Sequence, residues 1–211
     1  MGKKSELSVY LLIDRSGSMA SRWDETIGAV NNYIATLAAD KATKKAKATV
    51  AVFDASGPIN FDILRRGEDV GSWTALSVKE ASPRGMTPLF DAIGRLSTLV
   101  NEDAPAKAVV AVVTDGAENC SRELTRESAK ASLDALRAKG FQVVFLGADF
   151  DAFGQAASVG TQKGQTISMN SGSYAGTMRS MAAQTASYAT SGATMSWSEE
   201  DRAKAAKQRS N

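Results

Sequence analysis

The chain has 211 residues, 43% of them hydrophobic and 23% charged, and carries a formal net charge of +2. That length suits one domain with a substantial core, the composition is that of an ordinary globular protein, and the near-neutral charge argues against a nucleic-acid binder, which would show a concentrated basic face. There is no histidine and one cysteine, Cys120, which excludes Ser-His-Asp and Cys-His catalysis, an internal disulfide, and imidazole or thiolate metal sites, so any bound metal must be a hard cation held by oxygen.

The first segment, MGKKSELSVYLLID, has an apolar run too short to cross a membrane and no small-residue cleavage site, and Glu6 stands where a myristoylation signal wants a hydroxyl. We expect a strand over 7–13, apolar nearly throughout and therefore covered on both faces, and a cytoplasmic protein without membrane contact. The polar loop DRSGS follows, with Asp14, Ser16 and Ser18 at alternating positions. Over 24–39, Ile27, Val30, Ile34 and Leu37 recur at helical spacing with Tyr33 beside them, which predicts an amphipathic helix. The basic run 41–47, KATKKAK, reads as the solvated end of that helix and not as a partner site.

ATVAVFD, 48–54, is a second strand, and the SGP turn at 56–58 returns the chain into INFDILR as an antiparallel hairpin partner at a sheet edge. After a loosely patterned stretch over 68–84, GMTPLFDAIGRLSTLV starts a helix at Thr87–Pro88, where proline is tolerated, with Leu89, Ile93, Leu96 and Val100 on its buried face. KAVVAVVTDG, 107–116, is the strongest strand; its apolar run stops at Thr114 and Asp115. A helix over 123–138 ended by Gly140, a strand over 141–148, a short helix over 152–157, a strand over 166–169 and a helix over 174–188 complete the alternation. The spacing of Tyr174, Met178, Met181, Thr185 and Tyr188 marks a core-facing stripe. The polar segment 196–211 is expected as a terminal surface helix or loose tail outside a single domain over 1–195.

The pattern predicts an α/β fold: a doubly wound, mostly parallel sheet with one antiparallel edge strand and helices on both faces. In such sheets ligands bind beyond the carboxyl ends of the strands, where strand order reverses. Asp14, Ser16 and Ser18 follow the first strand, Asp115 follows the apolar run of the strand over 107–116, and Thr87 precedes a helix whose N-terminus is expected to face the same crevice; two carboxylates with three hydroxyls suit Mg²⁺ or Mn²⁺, with Ca²⁺ as the further candidate. Asp54 and Asp91 read as structural, Asp149 and Asp151 as neighbours of the crevice, Cys120 as a bystander thiol, and Trp23 and Trp73 as core residues in preference to partner anchors.

Three segments carry a resemblance. DRSGS resembles the Asp-x-Ser-x-Ser signature of von Willebrand factor type A domains, GMTPLFDAIG their threonine loop and VVTDGAEN their second acidic loop, in the family order. FLGADFDAFGQAASVG, the helix over 174–188 and WSEEDRAK look like small stand-alone bacterial or phage members. The resemblance implies a metal-ion-dependent adhesion site in which Ser16, Ser18 and Thr87 supply hydroxyl ligands and Asp14 and Asp115 hold the ion directly or through water. It further implies an open coordination position that an Asp or Glu of a protein partner fills. Met86 stands where the family's threonine loop often has a second glycine. An enzymatic alternative, a phosphohydrolase using Asp14 as phosphoryl acceptor, lacks the second aspartate such enzymes want two residues on, where Ser16 stands. No phosphate-binding glycine motif is present for a nucleotide enzyme.

Overall fold

The computed structural model describes residues 7–148 and 152–206. Six strands form one sheet: β1 (Ser8–Asp14), β2 (Lys47–Ala55), β3 (Ile59–Asp69), β4 (Ala108–Thr114), β5 (Gln142–Ala148) and β6 (Thr166–Met169), in the order β3-β2-β1-β4-β5-β6. All pairs are parallel except β2 with the edge strand β3, so the doubly wound, mostly parallel fold is as the pattern implied. The helices are α1 (Trp23–Ala39), α2 (Leu89–Asp103), α3 (Arg126–Ala138), α4 (Ala152–Ser158), α5 (Tyr174–Ser191) and α6 (Glu199–Ala206).

Alternation along β1 divides the core into two layers. Val9, Leu11 and Ile13 share a cluster with Ile27, Val30, Ile34 and Leu37 of α1 and with Tyr174, Met178 and Met181 of α5. Tyr10 and Leu12 share the other with Leu89, Ile93, Leu96 and Val100 of α2 and Leu133 and Leu136 of α3. With both sheet faces covered, the central strands are buried nearly end to end, which is why their sequences run apolar without alternation.

The elements depart from the sequence pattern in places that have local causes. The edge strand β3 continues to Asp69, through residues as polar as Arg65, Arg66 and Glu68, because one face of an edge strand is solvated and its pairing with β2 shifts register near Val50. Helix α3 begins at Arg126 and not at 123: the backbone N–H groups of Arg122, Glu123 and Leu124 donate to the Asp91 carboxylate at 2.8, 3.0 and 2.7 Å, and Thr125 caps the helix by accepting from the Ser128 N–H. Beyond residue 195, Trp197 and Ala205 are buried in the core, and Asn170 binds the carbonyl oxygens of Ala205 and Ala206, which docks α6 beside the end of β6. Trp23 is buried and Trp73 half-buried. No helix among the described residues is long and apolar enough to cross a membrane.

Candidate functional site

The chain leaves β1 toward β2 on one side of the sheet and leaves β4 toward β5 on the other, so the carboxyl ends of β1 and β4 flank the switch point. Asp14 is the last residue of β1, and Asp115 follows the last residue of β4. All five residues expected from the loops meet at this end of the sheet.

Asp14 is fully buried. One carboxylate oxygen, Oδ1, accepts the Ser16 N–H at 2.7 Å, and Oδ2 accepts the Thr114 hydroxyl at 2.6 Å. Burial pushes its carboxyl up from the ordinary 3.8 to about 6, against the pull of those hydrogen bonds and with a small further push from Asp115. Ser16 Oγ lies 3.1 Å from Ser18 Oγ, and the Ser18 hydroxyl donates to Asp115 Oδ1 at 2.6 Å across 97 residues of chain. Asp115 Oδ2 is 3.6 Å from Arg22 at the end of the 3-10 turn Gly17–Arg22. Thr87 joins through Gly116: a Cβ placed there would sit 2.8 Å from Thr87 Oγ1 and 3.4 Å from Asp14 Oδ2, so glycine is needed for that close approach.

Two rigid braces hold the loops. On the β2 side, Arg15, itself buried, donates to Asp54 and Asp62; Asp54 also accepts from Asn60 Nδ2 at 2.7 Å and meets Arg84 Nε at 3.3 Å. On the β4 side, Thr87 exchanges backbone and side-chain hydrogen bonds with Asn119 at 3.0 and 3.2 Å. Glu118 and Ser121 satisfy the Phe90 N–H, and Ser121 Oγ also accepts the Asp91 N–H, which caps the start of α2. Asp54 and Asp91 thus serve the scaffold. Asp149 and Asp151 lie outside the described residues. The sequence reading missed Thr114, Arg22, Asn119 and the buried cation Arg15, because their roles depend on partners remote in the chain.

Among the described residues no three His, Cys, Asp or Glu side chains gather as a metal site. A cation here would therefore need hydroxyl ligands beside the two carboxylates, and Ser16, Ser18 and Thr87 supply them. The donor set is all oxygen, limited in charge, and fits a hard divalent ion.

The model of the von Willebrand factor type A domain matches residues 8–185. The chain belongs to the von Willebrand factor type A family. Domains of this family often mediate metal-dependent protein–protein interactions. No curated protein matches the chain by sequence comparison. Among solved structures, the type A domain here is similar to the vWF domain of the type V pili tip protein Mfa5 from Porphyromonas gingivalis (TM-score 0.62, 10% identity, covering 94% of this chain and 99% of that one). It is also similar to manganese-loaded Plasmodium vivax TRAP protein (TM-score 0.59, 18% identity, 82% and 71% covered). Against the pilus adhesin SpaC from Lactobacillus rhamnosus GG the TM-score is 0.65 at 13% identity; 90% of this chain is covered but only 30% of that one. At such identities the likeness is one of fold.

Proposed function

We propose that this domain is a metal-dependent docking module without catalytic activity, in which Asp14, Ser16, Ser18, Thr87 and Asp115 hold Mg²⁺ or Mn²⁺, or Ca²⁺ in their place, and a partner protein completes the shell with an Asp or Glu side chain. The observation that carries the reading is the Ser18–Asp115 contact at 2.6 Å, which joins the two acidic loops across the switch point beside Asp14. When bound, the ion would supply a positive centre for an incoming carboxylate. Asp14, Ser16 and Thr87 are buried and Ser18 is exposed, so the donors grade from the interior to the surface on which a partner would land. The manganese-loaded state of the TRAP neighbour is consistent with an ion at this fold's site. The phosphohydrolase reading is disfavoured by Ser16 at the position of the second acid.

Thermal unfolding in Mg²⁺, Mn²⁺ or EDTA tests the proposal. An ion at a hundredfold excess over its Kd stabilises by about 2.7 kcal/mol, which raises Tm by roughly 5–10 °C for a domain of this size. Asp14→Ala should remain folded and lose that rise; an equal response to metal in wild type and variant would overturn the assignment. An EDTA-sensitive capture of partner protein, absent with Asp14→Ala, tests the docking role itself.

A further inference from the structure

The threonine loop is fastened on both sides before it reaches Thr87. The Arg84 N–H donates to the Arg15 carbonyl at 2.7 Å, and the Gly85 carbonyl accepts the Gly17 N–H at 3.1 Å. Met86 exchanges both of its backbone hydrogen bonds with Ala55 of β2, at 2.9 and 3.0 Å. Gly85 has φ +66°, and a Cβ there would lie 2.3 Å from the Ala55 carbonyl oxygen, so only glycine permits this close approach to β2. On this fixed backbone the Met86 side chain is 44% exposed, while its neighbour Thr87 is 2% exposed. Among the described residues only Ile63, Val78 and Met86 are exposed large apolar side chains, and of these only Met86 adjoins a candidate metal ligand. The other exposed positions of the three site loops are small or polar, among them Gly17, Ser18, Arg84, Gly85, Ala117 and Asn119.

Resting on the docking reading above, we infer that Met86 is a specificity residue of the docking face. It contacts an apolar side chain that lies within two positions of the partner's metal-binding Asp or Glu. An extended segment spaces same-face side chains by about 7 Å, a span that a long, unbranched methionine beside Thr87 can meet. The occupant is therefore a partner segment with one acid and one nearby apolar residue, the apolar residue meeting Met86 among loop positions that are otherwise small or polar. Methionine suits this role because its flexible thioether adapts to apolar shapes of differing outline.

Selection of a random-peptide display library on the whole chain tests the inference, with Mn²⁺ or with EDTA, on wild type, Met86→Ser and Ile63→Ser, each checked for folding by its melting transition. The expected result is EDTA-sensitive recovery of acidic peptides carrying an apolar residue within two positions of the acid in wild type and Ile63→Ser. In Met86→Ser the acid should persist and the apolar enrichment should fall about fivefold, as expected for losing roughly half the burial of one apolar side chain. Acidic peptides with no apolar neighbour, or with an apolar preference unchanged by Met86→Ser, would overturn the inference and leave the docking reading standing. Recovery of no EDTA-sensitive acidic peptide would overturn both.

Discussion

Two aspartates stand at the carboxyl ends of adjacent strands, Asp14 as the last residue of β1 and Asp54 as the next-to-last of β2, both fully buried, yet the chain treats their charges in opposite ways. Asp54 is met by two guanidinium groups, Arg15 and Arg84, and by the Asn60 amide. Asp14 receives one backbone N–H and one hydroxyl, and among the described residues no lysine or arginine touches it. A buried carboxylate compensated only by neutral donors is held at a cost, and burial accordingly raises the pKa of Asp14 to about 6. The difference separates a joint from a socket: Asp54 has its cation within the chain, and Asp14, on the proposed function, would receive one from outside.

The largest effect should come from breaking the joint. Arg15→Ala leaves Asp54 buried without its main cation, and removal of one partner from a buried ion pair is expected to destabilise by about 3–5 kcal/mol. For a domain of this length that lowers Tm by about 10 °C or more. Because Arg15 sits between Asp14 and Ser16, the variant should weaken the metal response as well. A melting point within about 2 °C of wild type would mean that Arg84 alone balances Asp54, and the contrast would lose its first half.

At the socket the sign reverses. Asp14→Asn keeps an acceptor for the Ser16 N–H and removes the buried charge. In metal-free buffer at pH 7 it should stabilise the fold by about 1–3 kcal/mol, the upper figure being the roughly two-unit rise of the carboxyl expressed as free energy. Between pH 3.8 and about 6 the folded wild type keeps a proton that the unfolded chain has released, so its stability falls as pH rises through that window and stays lower above it. Urea unfolding of both proteins at pH 4 and pH 7 measures this: the gain should nearly vanish at pH 4. In Mn²⁺ the order of stabilities should narrow or invert at pH 7, since the variant forfeits the ion. A variant less stable than wild type in EDTA at pH 7 would refute the account of Asp14 as an uncompensated charge.

Gly116→Ala should cost less, about 1–3 kcal/mol, the usual penalty for forcing a methyl into filled space. Its Cβ would press on Thr87 Oγ1 from 2.8 Å and crowd Asp14. On the proposed function, the metal-induced rise in Tm should shrink by more than the loss in stability alone explains, because the added methyl displaces a proposed ligand oxygen and leaves the Arg15–Asp54 joint untouched. Comparison of melting shifts in EDTA and Mn²⁺ separates the two effects.

Much of this contrast was legible in the sequence, and the reason is topological. A strand buried on both faces must be apolar until it surfaces, so an acid or hydroxyl directly after such a run marks the sheet's carboxyl edge, and Asp14 and Asp115 announced themselves that way, while Thr87 was marked by the proline-started helix it precedes. Their convergence followed from strand order. The compensation of Asp54 was not legible, because Arg15 is only the variable position of DRSGS and its acids lie 39 and 47 residues away. The late start of α3 was hidden for the same reason, Asp91 taking the N–H groups of a loop 31 to 33 residues downstream. Local pattern fixes where a polar residue emerges from the core, whereas the identity of its partner is a property of the assembled loops.

The smallest effect reads the socket's field from a distance. Cys120 is half-buried, and its thiol is held above the usual range by burial first and then by the charges of Glu118 and Asp91, with Arg122 opposing and Asp14 adding the least. Only the thiolate is alkylated, so Cys120 should react with iodoacetamide at pH 8 more slowly than a free thiol. A cation bound against Asp14 would offset the acidic field at Cys120 and raise the thiolate fraction. Screening limits the gain to about twofold. Asp14→Asn without metal should give a smaller acceleration in the same direction, whereas neutralising the already balanced Asp54 should give none. Equal rates in all these states would show that the excess negative charge at the socket does not extend past its own ligands.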